Sequence, residues 1–129
     1  MKENYTYPVI LEPDGNFVNI RIPAFDAVSC VEAREDPIPA AQDLLTLEII
    51  AREDEGEPLP DAEAITPDSP GQSVAYVNIW MPYHRSKVKE TYVKKTLTIP
   101  VWLDLLAKQG KINFSATLTE ALKAKLSLS

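Results

Sequence analysis

Two runs of aromatic and β-branched residues flank Pro13-Asp14-Gly15-Asn16, and this arrangement dictates an antiparallel hairpin. The proline presets φ, and the glycine supplies the permissive conformation that the reversal needs. Before the turn stands Tyr5-Thr6-Tyr7-Pro8-Val9-Ile10-Leu11. After it, Val18, Ile20 and Ile22 alternate with Asn19 and Arg21 up to Pro23. Such alternation gives a hairpin with one face to bury, so something apolar must cover that face. A third short strand is predicted near Val28-Ser29-Cys30-Val31.

The cover comes next in the chain. Asp36 is a candidate cap and Pro37 a candidate first-turn residue. Ile38, Ala41, Leu44, Leu45 and Ile49 then recur at helical spacing. Arg52-Glu53-Asp54-Glu55-Gly56 ends the helix. Residues 57–72 carry Pro58, Pro60, Pro67 and Pro70 among acidic residues and read as an extended loop. That loop could lie on a partner or simply connect. Ser73-Val74-Ala75-Tyr76-Val77-Asn78-Ile79-Trp80 reads as a buried fourth strand. The expected fold class is α+β: three antiparallel strands, a helix, a long loop and a further strand.

The net charge of −6 conceals a split. Residues 1–82 hold 4 Lys/Arg against 16 Asp/Glu, a balance of −12, whereas residues 83–129 hold 9 against 3, a balance of +6. Acid can serve solubility alone, but a reversal of sign within a few residues points to different partners for the two halves. A length of 129 residues suits one small domain with an appended module. No apolar run is long enough to span a bilayer, and Met1-Lys2-Glu3-Asn4-Tyr5 lacks the apolar core of a secretion signal. Cys30, the single cysteine, has no partner for an internal disulfide. A cytoplasmic location is expected.

The basic tail has its own pattern. In Val93-Lys94-Lys95-Thr96-Leu97-Thr98-Ile99, Val93, Leu97 and Ile99 share one face, interrupted by Lys95. Lys94, Thr96 and Thr98 form the other, and Pro100 stops the strand. A helix over 101–109 carries the apolar stripe Trp102, Leu105 and Leu106, with Gly110 expected in the left-handed position behind it. A second helix begins near Phe114-Ser115, capped by Ser115 or by Asn113, with Leu118, Ala121, Leu122 and Leu126 inward. Strand, helix and helix in about 35 residues bury little core alone. A dimer with the two strands paired as a ribbon remedies this, an arrangement that resembles the ribbon-helix-helix fold. In such a dimer Lys94, Thr96 and Thr98 read base edges in the major groove. The amides near Ser115 and Ala116 meet a phosphate, and Lys87, Lys89, Lys95 and Lys111 attract the DNA backbone. A plain dimerising helical hairpin and a helix-turn-helix are the competing readings.

The whole chain resembles the HicB antitoxins of bacterial HicA–HicB toxin–antitoxin systems. The resemblance is carried by Tyr5-Thr6-Tyr7-Pro8-Val9, Pro13-Asp14-Gly15-Asn16-Phe17-Val18, Ile22-Pro23, Cys30, Ala40-Ala41-Gln42-Asp43-Leu44, the stretch from Gly56 to Pro60, and Lys95-Thr96-Leu97-Thr98-Ile99-Pro100 followed by Leu103. Ala27-Val28-Ser29 departs from it, since members often have a Leu-Pro-Gly type turn there. The resemblance implies a degenerate RNase H-like front domain that covers the active site of a small basic mRNA-cleaving toxin. It also implies a C-terminal part that binds operator DNA and autoregulates transcription.

The expected organisation is therefore an acidic toxin-neutralising domain over 1–82, a linker over 83–92, and a ribbon-helix-helix module over 93–129. The module makes the homodimer and binds DNA through Lys94, Lys95, Thr96, Thr98, Ser115 and Ala116. A heterotetramer or larger assembly with toxin is expected. Asp14, Glu32, Glu35 and Trp80 are the candidate toxin contacts, with Met81 and Tyr83 as further anchors; for Trp80 a place in the core is an equal alternative. No catalytic site, metal or cofactor is expected. Glu12, Asp14, Glu32, Glu35 and Asp36 could gather a metal in an RNase H-like manner, but turn and capping roles explain Asp14 and Asp36. His84 reads as a linker residue and Cys30 as a small buried hydrophobe. The four glycines, at 15, 56, 71 and 110, form no phosphate-binding loop. A second functional class stays open: a stand-alone ribbon-helix-helix regulator whose front domain senses a ligand or a protein.

Overall fold

The computed structural model describes residues 2–90 and 92–128, with the backbone alone at Lys89. The chain divides into two compact units, residues 1–92 and 93–129. The front unit runs β1 (Asn4–Asp14), β2 (Phe17–Ile22), a 3-10 turn at Pro23–Phe25, β3 (Ala27–Glu32), α1 (Pro37–Asp54), β4 (Ser73–Trp80) and α2 (Met81–Lys89). The second unit holds α3 (Val101–Gln109) and α4 (Phe114–Lys125). The chain's class is α+β, with one four-stranded sheet and four α-helices among the described residues.

The sheet order is β3-β2-β1-β4, and every neighbouring pair is antiparallel. Asp14 pairs with Phe17 across the turn, where Gly15 takes φ 61°, a conformation that costs glycine nothing. The fourth strand adds to β1 over a continuous register from Asn4↔Trp80 to Leu11↔Ser73. Alternation sends Tyr7 and Val9 of β1, Ile20 and Ile22 of β2, and Val77 and Ile79 of β4 to one face. There they meet Ala41, Leu45 and Ile49 of α1, with Phe25 and Met81 completing the core. Each fully buried Leu or Ile contributes about 1.5–3 kcal/mol. Thr46 is the buried polar residue of this layer, and its hydroxyl donates to the Gln42 carbonyl at 2.7 Å.

Asp36 caps α1 by accepting from the Ile38 amide at 3.0 Å, and Pro37 occupies the first turn. The helix closes in a Schellman motif: Gly56 takes φ 70° and donates to Glu53, while Glu57 donates to Arg52. Residues 57–72 fasten onto their own domain. Leu59 packs against the core, and the Tyr7 hydroxyl donates to the Pro60 carbonyl at 2.7 Å. Burial pushes the Tyr7 pKa up, with Tyr5 and Asp61 adding to the effect against Arg52, so the phenol keeps the proton it donates.

Two expectations require correction. The stretch 83–92, expected as a linker, is largely α2, and the front unit runs past 82 to 92. Pro82 suits the first turn of a helix, and Arg85 pairs with Glu53 of α1. His84 is thus a helical residue beside Tyr83, its pKa lowered by burial, with Asp43 opposing and Lys87 adding. Residues 93–99 form no ladder within the single chain, and the expected ribbon is one made between two copies. Gly110 does not take the left-handed position: its φ is −77°, and Lys111 takes that role at φ 56°. The amides of Lys111 and Ile112 then close α3 onto Lys108 and Ala107, a Schellman motif set one residue later.

Gly56→Ala costs about 1 kcal/mol, because no atom crowds the new methyl and only the positive φ opposes it; Lys111→Gly stabilises by a similar amount. Urea denaturation checks both signs. The folded state disfavours protonated His84, so stability falls as pH drops through the ordinary imidazole range and levels off below the lowered folded pKa. In His84→Gln, the part of the slope between about pH 7 and 6 disappears from the urea midpoints.

Candidate interaction surfaces

One helix covers one face of the sheet. The residues of opposite parity form the outer face: Thr6, Pro8, Ile10 and Glu12 of β1, Phe17, Asn19 and Arg21 of β2, Val28, Cys30 and Glu32 of β3, and Val74, Tyr76, Asn78 and Trp80 of β4. No helix of the front unit lies on it among the described residues. Central Pro8 and Ile10 are buried even here, but the flanks are open: Phe17 is 48% exposed, Val28 69%, Tyr76 60% and Trp80 53%. Side chains this apolar and this open mark a surface suited to a partner.

The candidate contacts distribute over this face. Asp14, Phe17 and Glu32 stand in one row, since Phe17 pairs with both acids. Asp14 accepts from Asn19 at 3.4 Å, and Glu32 pairs with the exposed Arg34 at 2.7 Å. Glu35 follows in the turn, its amide donating to the Glu32 carbonyl. Trp80 occupies a different corner, opposite Asn4, and is exposed rather than core. Tyr83 is exposed as well, whereas Met81 is buried and serves the core. Tyr76 went unremarked in the sequence; its place four residues before Trp80, on the strand parity opposite the core positions Val77 and Ile79, was the available signal. Near the centre, Gln72 donates to Glu12 at 3.0 Å and accepts from the Asp68 amide, and Asp68 pairs with Arg21 at 3.0 Å. That clamp neutralises Arg21, the basic residue of the outer face.

Cys30, expected to be buried, is exposed. It sits on β3, an edge strand, with its side chain on the uncovered face opposite Asn19. Among the described residues no three His, Cys, Asp or Glu side chains gather closely enough to hold a metal ion. Glu12 is engaged by Gln72, and Asp36 caps α1.

The second unit presents another kind of surface. No residue of α3 or α4 is buried, and Trp102, Leu105, Leu106, Leu122 and Leu126 all stand exposed. Lys95, Leu97 and Ile99 line a groove of about 730 Å³ with Leu103, Phe114 and Leu118. Lys94, Thr96 and Thr98 are exposed and do not line it. Asn113 caps α4 by accepting from the Ala116 amide at 3.0 Å, so Ser115 is not the cap and the Ala116 amide is already committed. The side chain of Lys89 lies outside the described residues, and Lys87 stands over the Tyr83 ring at 5.9 Å.

No family model matches the sequence, and no curated protein is similar to it. A solved structure, the toxin-antitoxin complex from Streptococcus pneumoniae, contains a chain of similar fold. The TM-score is 0.54 at 21% identity, covering 95% of this chain and 99% of that one. The likeness is one of fold.

The exposure of Cys30 has a direct check. The native chain reacts with a thiol reagent at a rate close to that of the urea-unfolded chain, whereas a buried thiol reacts only as fast as the chain opens.

Proposed function

We propose that this chain is the antitoxin of a HicA–HicB-like pair: it occludes a basic mRNA-cleaving toxin with its front unit and binds operator DNA with its second. The observation that carries the reading is an open, partly aromatic sheet face on an acidic unit, within a fold similar to that of a chain from a toxin–antitoxin complex. Residues 1–82 carry a balance of −12, which draws a basic partner and raises the rate of encounter. Asp14, Glu32, Glu35 and Trp80, joined by Tyr76 and Phe17, are the proposed contacts. In that reading the front unit is a degenerate RNase H-like domain. Neutralisation by this chain is occlusion, with no reaction of its own.

The uncovered apolar surface of the second unit supports pairing with a second copy. In the ribbon-helix-helix reading, residues 93–99 of two copies satisfy each other's backbone groups. Lys94, Thr96 and Thr98 then face the major groove, and Lys95 and Ser115 lie near the phosphates. Ala116 drops out as a phosphate donor because Asn113 holds its amide.

Co-expression with a short basic reading frame adjoining this gene tests the reading. The expected result is co-purification and relief of growth arrest; failure of both contradicts it. Deletion of residues 91–129 abolishes binding to the DNA upstream of the gene while toxin binding persists. Lys94→Ala with Thr96→Ala weakens that DNA binding by about 1–3 kcal/mol per lost base contact in a gel-shift titration. Unchanged affinity removes the ribbon assignment. Binding also weakens steeply with added salt.

A further inference from the structure

The outer face ends in an edge strand, β4, whose outward backbone groups are largely unused. The amide of Met81 donates to the Glu3 carbonyl at 2.8 Å, which places position 81 in a hydrogen-bonded pair with position 3. In an antiparallel ladder such pairs recur every second residue, so Ile79, Val77, Ala75 and Ser73 turn their backbone groups toward β1. Asn78, Tyr76 and Val74 turn theirs away. The bond from Gln42 Nε2 to the Asn78 carbonyl, 3.0 Å, agrees with this parity and occupies one outward acceptor. At Val74 and Tyr76 the outward amides and carbonyls meet no partner among the described residues of the front unit.

Exposed edges are ordinarily blunted by lysine, proline, a charge or a bulge. None stands in Ser73–Trp80, and its register with β1 is unbroken over eight residues. The opposite edge differs. The amide of Ala33 donates to Asn16, so Glu32 is an outward position of β3 and sets a charge on that edge. The edge open to pairing is therefore β4.

We infer that the β4 edge receives an extended strand of the basic partner, which lengthens the sheet by one strand; this rests on the antitoxin reading above. Backbone pairing at Val74 and Tyr76 gives the attachment, as in other sheets that take up a strand. The exposed rings of Tyr76 and Trp80 lie on the outer face beside this edge and offer π-faces to Lys or Arg of the incoming strand. Charge selects the occupant. A second copy of β4 would bring two strongly acidic units together, whereas a basic strand is attracted to the same place.

Amide hydrogen exchange on the full chain, free and in complex with the co-expressed basic protein, tests this. In the free chain Val74 and Tyr76 exchange fast, while Ala75 and Val77, bonded to β1, are already slow. In the complex the amides of Val74 and Tyr76 slow by roughly a hundredfold. Tyr76→Pro, which removes only an outward amide from the ladder, weakens the complex more than Tyr76→Ala does; far-UV circular dichroism checks that the fold persists. A complex that forms with Val74 and Tyr76 still fast overturns the edge inference and leaves the antitoxin reading standing. Concentration-dependent protection of both amides in the free chain assigns the edge to a second copy and also overturns it. If no complex forms, the antitoxin reading falls and the inference with it.

Discussion

The packing of α1 across one face of the sheet is the constraint on which the front unit depends. Ala41, Leu45 and Ile49 supply one apolar stripe, and the alternating residues of β1, β2 and β4 supply the layer that it covers. A single helix cannot cover both faces of a four-stranded sheet. The outer face is thus the direct consequence of a two-layer design, and its exposed Phe17, Val28, Tyr76 and Trp80 are what that design leaves uncovered. The loop over 57–72 reaches the outer face at Asp68 and Gln72, which hold Arg21 and Glu12, and leaves those four side chains open.

The second unit is incomplete in another sense. Its helices form with regular caps, Asn113 for α4 and a Schellman closure at Lys111 for α3, yet neither helix buries a residue. Caps set where these helices begin and end, but helices this short are marginal alone, and their apolar stripes and the unpaired segment before them still lack a counterpart. The two units therefore have different needs: the acidic one has a finished core and a spare face, and the basic one has finished helices and no core. Their opposite charge suits the two units to different partners in the proposed function.

Much of the front unit was legible because period and punctuation agree there. The hairpin about Gly15, the cap at Asp36 and the strand Ser73–Trp80 all follow from alternation bounded by turn residues. The bounds of α3 were equally plain. Helix α2 was hidden because its stability comes from packing on α1 and from the Arg85–Glu53 pair, not from an apolar stripe of its own. The left-handed residue after α3 was misplaced because glycine is only the commonest occupant of that position, and here Gly110 stays right-handed as the cap while Lys111 takes the left-handed turn. Cys30 was misjudged because composition does not tell which strand of a sheet is an edge. At the candidate site, Asp14 and Glu32 could be named from type and position, whereas for Trp80 a core and a surface place were equal alternatives that only its exposure separates. The row joining Asp14 to Glu32 through Phe17, and the part of Tyr76, required the register.

Backbone and indole amide chemical-shift mapping of the labelled full chain, titrated with the unlabelled basic partner, tests most directly whether the outer face is the recognition surface. The largest changes are expected at Phe17, Glu32, Tyr76 and the Trp80 indole, with Asp43 and Leu47 on the exposed side of α1 unmoved. Changes concentrated at Asp43 and Leu47, with the outer face silent, would contradict it.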